Sequence, residues 1–173
     1  MGILPGRSTT GAILSAFQKW HLELERGAEI QAFFFDLQKA FDSVPHRLLV
    51  QKLIQLDIHS HIVAWITNYL YNRHRVVGVE GVKSSSQHAI SGVPQGSVLG
   101  PLLFLVYIDS LDGLQLSRGS LTIFADNLLL CKTIHTVQDY LDLQANVDTL
   151  AVWLVDHKLT LNVKKYWSQE RRV

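Results

Sequence analysis

The sequence predicts an α+β fold, a small antiparallel sheet with helices packed against it. Three observations carry this expectation. Residues 32–35 and 121–124 are short, mostly apolar runs of strand-forming composition, and a further apolar run, 128–131, follows the second. The first two end on aspartates, Asp36 and Ala125-Asp126, 90 residues apart. The remaining stretches repeat apolar residues every three or four positions, as one face of a helix does. With 173 residues, 47% of them hydrophobic, the chain is long enough for one domain with its own core and too apolar for a disordered segment.

Taken in order, residues 6–10 form a loop with helix-capping side chains. Ile13, Phe17, Trp20 and Leu24 then fall at helical spacing, and Gly27 closes that helix. A strand over 31–36 follows, with a turn at 39–42. Pro45 begins a helix to about Leu56, where a first-turn proline is tolerated, with Leu48, Leu49, Leu53 and Leu56 as its apolar face. Ser60 caps a further helix with Ile62, Trp65, Ile66 and Tyr69 on one stripe. Residues 73–79 and 87–91 read as a hairpin around the turn-prone 80–86.

Residues 92–96, GVPQG, form a tight loop whose glycines let backbone approach a ligand. A helix over 97–111 carries Pro101 in its first turns and turns Leu99, Leu102, Leu103 and Val106 inward. Residues 121–124 and 128–132 form a second hairpin with Ala125-Asp126-Asn127 as its turn. Thr136 caps a long helix to about His157, burying Leu141, Val147, Leu150 and Leu154. A last strand covers 159–162. Residues 1–165 make the domain, and 166–173 show no pattern and read as a tail.

Composition bounds the function less sharply. Sixteen Lys plus Arg against fifteen Asp plus Glu give a net charge of +1, without the basic excess that marks nucleic-acid binding. The single cysteine, Cys131, has no partner for an internal disulfide, so an intracellular location, nucleus or cytoplasm, is expected. The best apolar run, 98–108, is too short to span a membrane and contains Gly100 and Pro101, so no membrane partner is expected. No signal peptide, repeat or low-complexity segment is expected from these residues. The eight histidines, His46, His59, His61 and His157 among them, show no convincing metal-ligand spacing and read as surface residues.

The acids point to chemistry. A carboxylate at the end of a buried strand is costly to desolvate unless something pairs it. Two such acids on neighbouring strand tips are satisfied together by a shared divalent cation, because hard cations take one or two carboxylates plus substrate phosphates and water. That is the arrangement of two-metal phosphoryl transfer. An aspartate after a single apolar strand serves equally as a helix cap or turn residue.

The spellings around these acids narrow the choice. FFFDLQKAFD (residues 33–42) resembles the first catalytic motif of reverse transcriptases. SGVPQGSVLGPLLF (91–104) resembles their second, and FADN (124–127) their third, which normally reads F-A-D-D or Y-x-D-D. LTLNVKK (159–165) resembles their fourth, and PGRSTTGAIL (5–14) the segment ahead of the first strand, where Arg7 is a candidate nucleic-acid contact. The resemblance covers nearly the whole chain in the right order, and is to the reverse transcriptase domain of a non-LTR, jockey-like retrotransposon.

That resemblance implies a polymerase palm plus part of the fingers, with the thumb missing. It also explains the weak basic balance, since a basic fingers hairpin is expected before Met1 and a duplex-holding thumb after Val173. The implied activity is RNA-directed DNA synthesis with Mg²⁺, or Mn²⁺ in its place. The implied partners are an RNA template, a DNA primer and deoxynucleoside triphosphates. The metal residues would be Asp36, Asp126 and the carbonyl of Leu37. Backbone amides near Lys39 and Ala40 would cradle the triphosphate. Phe41, five residues past Asp36, matches an aromatic under the sugar that leaves no room for a 2′-hydroxyl, or is core. Gln95 and Gly96 match the family's nucleotide-contacting loop, and Lys165 the lysine of the fourth motif.

The departure is Asn127, where the family has aspartate. Asparagine keeps an oxygen, loses a charge and adds an NH₂ donor. The expectation is therefore a weak or inactive polymerase fragment. The rival reading is a non-catalytic nucleic-acid-binding remnant. A third, an RNA-dependent RNA polymerase palm, is disfavoured by Phe41.

Overall fold

The computed structural model describes residues 9–162 and 167–171. They fall into two compact units, Met1–Gln38 with Ser110–Val173, and Lys39–Asp109.

The first unit is built on a four-stranded antiparallel sheet. Its strands are β1 (Glu29–Asp36), β6 (Ser120–Phe124), β7 (Asn127–Ile134) and β8 (Trp167–Arg171), in the order β6-β7-β1-β8. The expected strand pair is present, with Phe35 opposite Leu128 and Asp36 opposite Asn127. Side chains alternate across a strand, so Ala32, Leu129 and Cys131 share one face, where Trp20 of α1 (Thr9–Glu25) packs on them. Phe34, Asp36 and Asn127 lie on that same face toward its other end. Phe34 is 40% exposed, so the face opens toward the acids. Gly27 closes α1 as expected, at φ 77, donating to Leu24 O at 2.9 Å. Phe17 of the expected stripe is exposed, Trp20 and Leu24 are half-buried, and the side chain of Ile13 lies outside the described residues.

The opposite face carries Lys132, and α6 (Val137–Asp156) packs there. Its ammonium, with 1% side-chain exposure, lies 2.8 Å from Asp142 Oδ2 and 3.4 Å from Asp139 Oδ1. It also donates to the Ser117 carbonyl at 3.1 Å. Asp139 Oδ2 accepts from His135 N, Thr136 N and Thr136 Oγ1 at 3.1, 2.9 and 2.9 Å. These bonds, the His135 amide first, lower the Asp139 carboxyl to about 2, and Lys132 above all lowers Asp142. Folding therefore favours their ionised forms. The stabilisation is present above the ordinary carboxylate value of 3.8 and is lost as pH falls from there toward about 2. Urea midpoints should fall steeply in that window, and the fall should flatten in Asp139→Asn. An equally steep fall in that variant would locate the acid sensitivity elsewhere.

This network corrects the expected face of α6. Leu143, Asn146, Leu150, Trp153 and Leu154 are buried, whereas Leu141 is 59% exposed. Leu150 and Leu154 are buried as expected; nearer its start the inward face carries polar residues with partners, Asp142 toward Lys132 and Asn146 accepting from Ser117 N at 2.7 Å, which apolar spacing alone does not mark.

Three further expectations change. The hairpin turn is Ala125-Asp126, because Asn127 already pairs with Phe124 in the ladder, and Ala125 takes the left-handed φ of 52. Residues 159–162 form a single bridge, Leu161 with Leu37, where a strand was expected. Residues 166–173 contribute β8 despite their lack of pattern. The second edge of β1 offers backbone donors and acceptors, and pairing satisfies them whatever the side chains.

The second unit packs α3 (His46–Gln55), α4 (Ser60–Tyr71) and α5 (Leu99–Ile108), with the short α2 (Ala40–Ser43) at its start. Pro45 stands just ahead of α3 in extended conformation, and Leu49 and Leu53 are buried while Leu56 is exposed. α4 buries Ile66 of the expected stripe together with Val63 and Leu70, while Ile62 and Trp65 are exposed; its N-cap is His59, which accepts from His61 N. α5 is shorter than expected, passing into a 3₁₀ turn at Asp109–Gly113, and buries Gly100, Leu103, Phe104, Tyr107 and Ile108. Leu102 is exposed. Helix α5 is apolar nearly all round, so periodicity could not choose its buried side. Burial pushes the Tyr107 hydroxyl up to about 12.

The expected hairpin is two short antiparallel pairs. β2 (His74–Arg75) pairs with β5 (Gln87–His88), and β3 (Gly78–Val79) with β4 (Val82–Lys83). Its turn is Glu80-Gly81, both at positive φ, 48 and 83, the pattern of a type I′ hairpin. His46 is buried, not a surface residue, and Cys131 is buried as expected. Among the described residues, no helix is long and apolar enough to cross a membrane.

Candidate functional site

The acids sit where two strands end together. Asp36 is the last residue of β1, and Asp126 directly precedes β7. The antiparallel ladder puts Asn127 opposite Asp36, and Leu37 N donates to Asp126 O at 2.9 Å. Asp36 and Asp126 thus lie on adjacent strand tips. Asp36 and Asp126 are half-buried, and Asn127 is exposed. Among the described residues, no group of three or more His, Cys, Asp or Glu is placed to hold a metal.

Each carboxylate has an amide neighbour. Asn162 Nδ2 donates to Asp36 Oδ2 at 2.8 Å, and Asn127 Nδ2 to Asp126 Oδ1 at 3.2 Å. Asn162 is held in turn by its own N–H, which donates to Asp36 O at 2.7 Å, while Gln38 N donates to Thr160 O at 2.7 Å. The polypeptide after α6 therefore runs along the end of β1 and fixes the rotamer of Asp36. Sequence reasoning missed Asn162. Its signal was its place in LTLN, the segment already set beside the acids by resemblance.

Leu37 is buried at 2% exposure and bridges Leu161. The donor set is hard oxygen throughout: two carboxylates half-open to solvent, with one oxygen of each already oriented. It fits a hard divalent cation completed by water and phosphate, and does not fit a softer metal that favours nitrogen or sulfur.

The other candidates lie in the second unit. Lys39 is exposed and left-handed, φ 49 and ψ 39, and Ala40 after it is buried in α2. A left-handed residue followed by helical ones turns successive N–H groups the same way, the geometry of an anion nest. The Phe41 ring stacks on Phe104 of α5, centroids 4.7 Å apart and planes at 25°. It is only half-buried, so one side of the ring rests on core and part of it stays accessible. Gln95 and Gly96 are exposed, and they follow the buried residues 92–94. Ser97 Oγ donates to Pro94 O at 2.8 Å and accepts from Gly100 N at 2.9 Å, which ties the loop to the start of α5. Lys165 and Arg7 lie outside the described residues.

Comparison with known proteins bears on the whole chain. The family profile for reverse transcriptase (RNA-dependent DNA polymerase) matches residues 1–169. The RNA-directed DNA polymerase from mobile element jockey of Drosophila funebris is 30% identical over 149 residues, covering 82% of this chain and 16% of that protein. The probable RNA-directed DNA polymerase from transposon BS of Drosophila melanogaster is 32% identical over 141 residues, covering 78% of this chain and 16% of that protein. The chain thus spans 16% of the length of each of these relatives. Among solved structures, telomerase from Candida tropicalis in complex with a TWJ fragment of telomeric RNA superposes with a TM-score of 0.72 at 11% identity, over 93% of this chain and 29% of that one. The corresponding Candida albicans telomerase gives 0.71 at 14% identity, over 94% of this chain and 30% of that one. Identity this low speaks for a shared fold alone.

Proposed function

The chain belongs to the reverse transcriptase family, its sheet and helices forming a palm with part of the fingers, and from that premise we propose that it serves RNA-templated DNA synthesis. The observation that supports this most is the pairing of Asp36 with position 127 across the β1–β7 ladder, with Asp126 beside it. Asp36 and Asp126, with the carbonyl of Leu37, would hold Mg²⁺, or Mn²⁺ in its place. The bound ion supplies Lewis-acid stabilisation of the charge that builds up on reacting phosphate oxygens. Asn162 keeps the Asp36 carboxylate in one rotamer, as outer partners of metal ligands do.

The remaining roles rest on residue type and motif. The amides at Lys39 and Ala40 cradle the triphosphate. Gln95 and Gly96 contact the nucleotide, and Lys165 donates a proton to the leaving pyrophosphate. The template is RNA, the primer DNA and the substrate a deoxynucleoside triphosphate. Phe41 excludes a 2′-hydroxyl. Phe41→Ala should therefore relax discrimination between dNTP and rNTP, measured as the ratio of their kcat/KM values, by on the order of tenfold or more. An unchanged ratio with lowered stability would make Phe41 a packing residue on Phe104.

Asn127 favours a second reading, a nucleic-acid-binding remnant without catalysis, because it takes one negative charge from the strand tips. Primer extension on an RNA template with Mg²⁺ and with Mn²⁺, using Asp36→Asn as the control, separates the two. Extension lost in the control supports the polymerase. Template–primer binding without extension supports the remnant.

A further inference from the structure

Residues 91–93 are held at every turn by residues 41–46. Gly92 N donates to Val44 O at 2.8 Å, and Val93 N to Phe41 O at 2.7 Å. Ser91 Oγ donates to Asp42 O at 2.9 Å, and Pro45 bridges Ser91. Buried His46 bonds through Nε2 to Gly92 O at 2.9 Å, which makes that nitrogen the donor. One side chain reaches in from the β2–β5 hairpin. Arg75 Nη2 donates to Ser91 O at 3.0 Å, while its Nη1 lies 3.5 Å from Asp42 Oδ1.

Gly92 records how close these parts are. At φ 90, a Cβ there would stand 2.8 Å from Arg75 Nη2, 2.8 Å from Asp42 Cα and 2.8 Å from Asp42 O. No other residue fits without moving the arginine or the backbone.

We infer that Arg75 and Asp42 are positioning residues for nucleotide selection, forming a latch that locks the segment bearing Gln95 and Gly96 to the segment bearing Phe41. The inference rests on the polymerase reading above. Phe41 and Gln95 belong to two motifs far apart in sequence, yet the Val93–Phe41 bond leaves only Pro94 between the fastened backbone and Gln95. The backbone bonds form a short ladder, which Ser91 Oγ and His46 Nε2 each tie at one carbonyl. A guanidinium that spans the carboxylate of one segment and a carbonyl of the other sets their register, and its two nitrogens do what the single point charge of a lysine cannot.

Arg75 and Asp42 are 47% and 40% exposed in their side chains, and pairs this wet contribute little to stability. Their service to the fold is therefore geometric, and the variants should fold.

The test uses the whole chain with Arg75→Gln, Asp42→Asn and Arg75→Lys. Arg73→Gln serves as a control, its guanidinium lying 5.4 Å over the Tyr69 ring. Amide hydrogen exchange is followed at Gly92 and Val93. Binding of dTTP and of UTP to the complex with an RNA template and DNA primer is titrated in parallel. Arg75→Gln and Asp42→Asn should each speed exchange at both amides and weaken dTTP binding by on the order of tenfold, narrowing the gap to UTP, with the melting temperature little changed. Arg75→Lys should recover part of both effects, and Arg73→Gln should show neither. Unchanged exchange at Gly92 and Val93 overturns the latch, whatever happens to binding. Faster exchange with dTTP affinity intact overturns the positioning role and leaves a purely structural contact. If the unaltered chain binds no dTTP while exchange still responds, the polymerase reading fails, the role in selection fails with it, and the latch alone survives.

Discussion

Lys132→Ala should lower the unfolding free energy by about 3–4 kcal/mol, and Lys132→Met by only about 1–2 kcal/mol. The difference separates the two jobs of this side chain. Lys132 lies mid-sheet in β7 at 3% exposure, so its methylene stem is core and its ammonium must be compensated. Alanine removes the stem, at about 0.8 kcal/mol per buried methylene, while the Ser117 carbonyl keeps Asn146 Nδ2 as a donor at 3.3 Å. Methionine keeps most of the stem and loses only the polar contacts. Asp139 and Asp142 keep a wet edge, with 15% and 25% side-chain exposure, so water takes over much of the lost partner's work when the lysine goes.

The reverse deletion is harsher. Asp139→Asn with Asp142→Asn strands an ammonium that has 1% side-chain exposure, and that pair should melt well below Lys132→Met. Adding Lys132→Met to the double variant should recover stability. Chemical denaturation of the four proteins checks this. Equal losses for the alanine and methionine variants would mean that the stem contributes nothing. A double variant no worse than Lys132→Met would mean that the buried ammonium is solvated some other way.

What could be read before the fold was seen follows from how each residue is encoded. A run such as AFFFD announces itself, because a charge ends an apolar strand. The adjacency of Asp36 and Asp126 was therefore legible, although the register that sets Asn127 opposite Asp36 was not. Lys132 looked like the polar end of a strand, when β7 continues to Ile134 and buries it. Nothing local marks a lysine whose partners stand 7 and 10 positions later on a helix. Arg75, Asp42 and Ser91 are hidden for the same reason. Each is an ordinary surface residue type, and only the crossing of residues 41–46 with 91–93 gives them meaning. Gly92 was read as a point where backbone approaches a ligand, and what approaches it is Arg75 and the Asp42 backbone. Helix α5 misleads in the opposite direction, since a helix apolar all round carries no periodic signal.

Asn127→Asp should lower the melting temperature without metal, enlarge the stabilisation that Mg²⁺ gives, and raise primer extension by roughly 10²- to 10⁴-fold. The register supplies the argument. Asn127 stands opposite Asp36 in the ladder, and its amide donates to Asp126 Oδ1 at 3.2 Å. As written, position 127 stabilises Asp126 with a neutral donor. Aspartate removes that donor and sets a third negative charge among Asp36 and Asp126, so the metal-free protein gains repulsion in a small space. The same charge attracts a divalent cation directly, and Asp36 and Asp126 are half-buried, so screening by water and salt is incomplete. Any ligand that binds the folded chain alone stabilises it in proportion to its affinity. Melting of both versions with and without Mg²⁺ reads the two effects separately, and Ca²⁺ reports whether any divalent ion suffices. A lower melting temperature without metal and a larger Mg²⁺ response together establish that position 127 faces the ion. Equal Mg²⁺ responses would place the ion away from position 127, and the asparagine would then not account for weak catalysis.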